Sequence, residues 1–113
     1  VHAQEDSIAY CTSKGAVIAF TKALALDCAK FGVRANTLCP ASVTTPLMEG
    51  FINMQPDPDA MRASVAARHP LGYISTPEEM ANAALFLVSD EASFVTGIEL
   101  YADGGGTLGY KTN

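Results

Sequence analysis

A proline-free run from Ser7 to Phe31 is apolar on more than one side, and that narrows the folds open to this chain. Val17, Phe20 and Leu24 recur at helical spacing, and Ala16, Ala19, Ala23 and Leu26 add a second apolar face. Lys22, Asp27 and Lys30 are left for water. A helix patterned this way is buried on more than one side. Asp6 or Ser7 is expected to cap its start, and Gly32 suits the position past its end.

Beyond Gly32 the period changes. The stretch from Val33 to Cys39 is short, and Pro40 stops it as it would stop a strand. Helix, glycine and strand in close succession form the α-to-β half of a βαβ unit. From Pro40 to about Pro58 the chain reads as loop, punctuated by Pro46 and Pro56. Short helices are expected from Leu47 to Met54 and from Asp59 to Arg68, before Pro70-Leu-Gly72 closes the excursion. Leu47, Met48, Phe51, Ile52, Met54 and Met61 give it an adaptable apolar lining. Such an excursion between core elements is more often a lid or binding loop than filler.

Thr76, Pro77 and Glu79 read as N-cap, first helical position and N3 of a capping box. Met80, Ala83, Ala84, Leu87 and Val88 form the expected inward stripe of that helix. Alternation from Ile98 to Ala102 predicts a strand, ended by Asp103-Gly-Gly-Gly106 and followed by a tail. The glycines at 104–106 read as a strand-ending turn rather than a phosphate cradle. The order helix, strand, lid, helix, strand requires an α/β fold with a parallel sheet covered on both faces. Further strands are therefore expected elsewhere. No repeat, linker or domain boundary interrupts residues 1–113.

Composition supports a molecule with covered faces. Hydrophobic residues make up 49% of the 113 positions and charged ones 17%, which is apolar for so small a globule. More chain, a partner subunit or both are expected to cover the excess. The net charge of −5 and the scatter of the seven Lys and Arg argue against nucleic acid and anionic membranes as partners. No apolar run is long enough to span a bilayer. Cys11, Cys28 and Cys39 show neither disulfide nor zinc spacing, and read as small buried hydrophobes in a reducing compartment, the cytoplasm. His2 and His69 have no partner at a recognisable spacing and read as loop or surface histidines. The opening residues show no signal-peptide pattern and no initiator Met, so the chain reads as beginning in mid-sequence.

Near the start of the long helix, Tyr10 and Lys14 stand four residues apart. At about 100° per residue they share one face, one turn apart. An ammonium beside a phenol favours the phenolate, which is a way to make a tyrosine an acid or base near neutral pH. From spacing alone, a packed Tyr beside a surface Lys is the favoured reading of the pair.

The ordered blocks around this pair resemble the short-chain dehydrogenase/reductase family, non-extended type. Tyr10-Cys-Thr-Ser-Lys14 matches its Y-x-x-x-K helix. Val33-Arg-Ala-Asn36-Thr-Leu-Cys-Pro40 is similar to its next strand, and Val43-Thr-Thr45-Pro46 to the V-x-T-P step that follows. Pro70-Leu-Gly72, Thr76-Pro-Glu-Glu79, Phe86 to Asp90, and Val95-Thr-Gly97 through Asp103-Gly-Gly105 resemble the rest of its C-terminal half. The resemblance implies the C-terminal half of a Rossmann-type doubly wound parallel sheet with a partly helical substrate lid, one part of a single dinucleotide-binding domain. It implies reversible hydride transfer between NAD or NADP and an alcohol or carbonyl substrate, in a complete enzyme that is a homodimer or homotetramer. Tyr10 and Lys14 become the catalytic residues. Tyr10, Lys14, Pro40, Ala41, Val43 and Thr45 become the cofactor-binding set, with no metal.

Some family features are missing or altered. No G-x-x-x-G-x-G precedes a helix, and Ser7 is too close to Tyr10 to be the family's catalytic serine. Asn36 is expected to be structural rather than catalytic. Ala41 stands where the family has Gly, a cost if the backbone needs positive φ. Thr45 is the expected contact to the nicotinamide carboxamide, set against a simple turn role. Ser13 could face the site or fill the helix; Met48, Phe51 and Met54 could touch substrate or form lid core. The 113 residues alone are expected to be inactive. The rival to the enzyme reading is a non-catalytic interaction module that pairs through its apolar helices.

Overall fold

A computed structural model describes residues 5–109. His2 and the last residues of the tail lie outside them. The chain divides into two compact units, Val1–Leu38 with Phe86–Leu100, and Cys39–Leu85 with Tyr101–Asn113.

The first unit is built on α1 (Ile8–Ala29). It also holds the C-terminal turn of α4 (Pro77–Val88) and a single 3₁₀ turn at Asp90–Ala92. Strand β1 (Thr37–Pro40) pairs with β2 (Glu99–Ala102) in a parallel two-stranded sheet. β1 starts later than the sequence pattern suggests: ahead of it the Ala35 carbonyl still accepts the Gly97 amide at 2.7 Å, but the Ala35 amide donates to Thr96 Oγ1 and the Asn36 side chain takes the next bonds. Asn36 Nδ2 donates to the Val95 carbonyl at 2.9 Å and its Oδ1 accepts the Ile98 amide at 3.2 Å. Arg34 reaches the carbonyls of Val95 and Ser89. Asn36 is structural, as the resemblance implied.

Neither expected cap of α1 forms. Ser7 occupies the N-cap position without a side-chain cap bond, its Oγ donating instead to the Glu5 carbonyl, and Asp6 has φ of +53°. At the other end α1 stops at Ala29, and Gly32 follows in the left-handed region at φ +69°. Thr21 and Ala25 are buried, but Val17, Phe20 and Leu26 are exposed. Among the described residues, nothing therefore seals either apolar face of α1. Lys22, expected in water, is exposed and bonds Glu99 at 2.7 Å. Leu87 of the α4 stripe is buried, whereas Val88 has turned outward.

The second unit holds α2 (Pro46–Asn53), α3 (Pro58–Ala67) and the start of α4. Thr45 caps α2 and Asp57 caps α3, each with a proline in the first turn. Ile52 and Val65 are buried, and Arg62 grips Glu49 with two bonds of 2.7 Å from α3 to α2. The lid is thus a helical hairpin. Ile52 and Val65 form its core, while Phe51 and Met54 are exposed. The α4 capping box forms as read: the Thr76 amide donates to Glu79 Oε2 at 2.8 Å, and the Glu79 amide to Thr76 Oγ1 at 3.3 Å. All three cysteines are half-buried rather than buried, and none is in a disulfide.

Candidate functional site

In the first unit, the helical rise of α1 brings Lys14 over Tyr10. The ammonium nitrogen lies 5.4 Å from the centre of the phenol ring, a cation–π distance. Tyr10 is 61% exposed, so its hydroxyl is open to a reacting molecule. Ser13 turns back on its own helix, its Oγ donating to the Tyr10 carbonyl at 2.7 Å. It fills the helix surface.

The other expected residues, Pro40, Ala41, Val43 and Thr45, belong to the second unit. Pro40 is exposed at the end of β1; Ala41, Val43 and Thr45 are half-buried. Ala41 carries no backbone strain, since Asp6 is the one non-glycine residue with positive φ among the described residues. Val43 forms a parallel bridge with Ser75, and the Thr44 amide donates to the Ser75 carbonyl at 2.8 Å. Thr45 Oγ1 accepts the Met48 amide at 3.2 Å. A hydroxyl has one hydrogen and two lone pairs, so this cap leaves the Thr45 hydrogen available to a ligand oxygen. The turn role and a cofactor role are therefore compatible.

Beside this loop the second unit forms an open pocket of about 330 Å³, lined by Ala41, Ser42, His69, Tyr73, Ser75 and Glu79 among others. His69 was read from sequence as a loop or surface residue, yet it is only 5% exposed. Its Nε2 accepts the Ser42 amide at 3.4 Å. Packing between segments distant in sequence draws the ring inward, and no local pattern announces it. At the rim, Tyr73 donates its hydroxyl to Glu79 Oε1 at 2.7 Å. The Glu79 carboxyl is held below its ordinary value, first by the Thr76 amide and then by Tyr73. The same hydrogen bond and charge raise the Tyr73 phenol.

Asp103 closes β2 and is buried. Its carboxylate accepts the amides of Gly105 and Thr107, each at 2.9 Å. The glycines after it therefore form a turn around the chain's own carboxylate, as the sequence reading had it. Among the described residues, no group of three or more His, Cys, Asp or Glu is arranged to hold a metal ion. No helix among them is long and apolar enough to cross a membrane.

Comparison with known proteins places these features in a lineage. The family described as enoyl-(acyl carrier protein) reductase matches residues 1–107. The chain is 47% identical over 107 residues to L-fucose dehydrogenase of Bos taurus, covering 95% of this chain and 39% of that protein. Among solved structures, a short chain dehydrogenase family protein from Francisella tularensis is 39% identical with a TM-score of 0.87, over 95% of this chain and 46% of that one. The aldohexose dehydrogenase of Thermoplasma acidophilum is 38% identical with a TM-score of 0.88, over 98% of this chain and 45% of that one. The chain thus spans less than half the length of each. Its fold is part of the doubly wound Rossmann-type sheet of these oxidoreductases. The matched residues and the shared fold show that the chain belongs to the short-chain dehydrogenase/reductase family.

Proposed function

We propose that this chain supplies the acid/base helix and the nicotinamide-side loop of an NAD(P)-dependent oxidoreductase. The observation that carries the reading is the exposed phenol of Tyr10 with Lys14 over its ring at 5.4 Å. The nicotinamide, when bound, supplies or accepts the hydride. Tyr10 Oη gives a proton to the carbonyl oxygen during reduction and takes one from the alcohol during oxidation. Lys14 brings positive charge to the phenol and would hold the ribose hydroxyls. Pro40, Ala41 and Val43 would shape the backbone against the nicotinamide, and Thr45 would donate its hydroxyl hydrogen to the carboxamide. The unstrained backbone at Ala41 and the remaining hydrogen of Thr45 fit that group. Relatives named for fucose and aldohexoses favour a sugar as the alcohol. The complete enzyme assembles as a homodimer or homotetramer. The competing interaction-module reading draws on the exposed Val17, Phe20 and Leu26 of α1.

The test is a chimera that joins the N-terminal part of bovine L-fucose dehydrogenase to residues 1–113. Tyr10→Phe in this chimera is expected to cut kcat by about 10²- to 10⁴-fold while the protein still binds dinucleotide. Undiminished turnover in Tyr10→Phe would remove Tyr10 from the mechanism. A folded chimera that binds dinucleotide without any turnover would favour the interaction module.

A further inference from the structure

We propose that His69 is a positioning residue for the cofactor loop: its imidazole fixes the Ser42 amide, and with it the backbone of Ala41 and Val43. The proposal rests on the functional reading above, because it is that reading which places the nicotinamide against this loop.

Ser42 is held from both sides. Its amide donates to His69 Nε2 at 3.4 Å. Its carbonyl accepts from Ser75 Oγ at 2.8 Å and from the Ser75 amide at 3.2 Å. The next anchor, the Thr44 amide on the Ser75 carbonyl, continues the same pairing. All these groups lie in the second unit. Ser75 alone fixes only the carbonyl side of Ser42, and the imidazole fixes the amide side.

The bond decides the state of the ring. A backbone amide can only donate, so Nε2 must present its lone pair and the ring carries its hydrogen on Nδ1. Nδ1 is buried with no hydrogen-bond partner among the described residues. An apolar side chain would fill this volume without stranding a polar atom, whose burial is costly. What the histidine adds is therefore the bond to Ser42.

The ring is seated by the turn after β2. A Cβ at Gly104 would lie 3.3 Å from His69 Cβ, and one at Gly106 would lie 3.7 Å from its Cδ2. Gly104 also has φ of +58°, and its carbonyl accepts the Leu71 amide at 3.1 Å. Asp103 fixes this turn through Gly105 and Thr107. The placement runs from Asp103 through the glycine turn to His69, and from His69 to the loop.

Two measurements test it. In the 113-residue chain, long-range proton–nitrogen NMR is expected to show the neutral, Nδ1-protonated ring, with slow exchange of the Ser42 amide. His69→Leu should lose that protection locally and His69→Gln, which keeps an acceptor, should retain it. In the chimera, His69→Leu is expected to raise the dinucleotide KM about tenfold with kcat within about twofold, and His69→Gln to restore KM to within about threefold of the parent. An Nε2-protonated or charged ring, or Ser42 protection unchanged in His69→Leu, would overturn the bond. Equal KM in parent and His69→Leu would overturn the positioning role. A parent chimera without turnover would sink the functional reading and the cofactor part of this proposal, while the NMR result would still decide the bond.

Discussion

Asp103 shows how one side chain can tie a turn to pH. Burial raises its carboxyl, but hydrogen bonds from the Thr107 side chain and from the Gly105 and Thr107 amides more than offset that and leave it below the ordinary aspartate value. A folded-state value below the unfolded one means stability that is full above the unfolded pKa and lost as pH falls through the folded one. The loss should therefore begin near pH 4, the unperturbed aspartate range, and continue below it. Asp103→Ala is expected to cost about 2 kcal/mol at neutral pH, and to flatten the acid limb of a urea-midpoint profile. An unchanged acid limb would separate the turn from acid sensitivity. The turn itself was legible, since Asp followed by glycines can do little else at a strand end. The burial of His69 was not. Its partner Ser42 lies 27 positions away, and nothing adjacent to His69 encodes that meeting.

At the scale of elements, local chemistry was a good guide and tertiary burial a poor one. The α4 start was fully legible, because Thr76, Pro77 and Glu79 specify it within a few residues. Thr76→Ala is expected to lower stability by about 1 kcal/mol in urea titrations, with Thr76→Ser close to the parent. The α2–α3 hairpin was legible as two short helices. Which apolar residue anchors it was not, because Leu47, Phe51, Ile52 and Met54 all suit a short amphipathic helix. The structure buries Ile52 completely and leaves Leu47 85% exposed. Ile52→Ala should cost about 3 kcal/mol and Leu47→Ala less than about 0.5 kcal/mol. Comparable losses from the two would mean that another residue anchors the hairpin. β1 was placed too early for a specific reason: the side chain of Asn36 takes the Ile98 amide, which a regular backbone ladder would otherwise use.

For the whole molecule, the apolar excess seen in composition reappears as exposed side chains on α1, where Val17, Phe20 and Leu26 are 50%, 65% and 81% exposed. Pattern alone showed that this helix wants cover and could not show what covers it. The same division applies to the dinucleotide. A pyrophosphate is held by unengaged amides of a glycine-rich turn at a helix N-terminus. The glycines that follow β2 offer nothing comparable, because the Gly105 and Gly106 amides already donate to Asp103 Oδ1 and to its carbonyl. The buried Asp103 carboxylate would also repel a phosphate. The proposed nicotinamide-side residues would bind without the pyrophosphate contacts that supply most of the charge recognition. Calorimetry of the 113-residue chain with NAD and with NADP is therefore expected to give no measurable heat up to millimolar ligand. The chimera, which restores a glycine-rich turn, is expected to bind one of the two in the micromolar range. A Kd below about 100 μM, near −5.5 kcal/mol, for the 113-residue chain alone would show that it holds a dinucleotide without that turn.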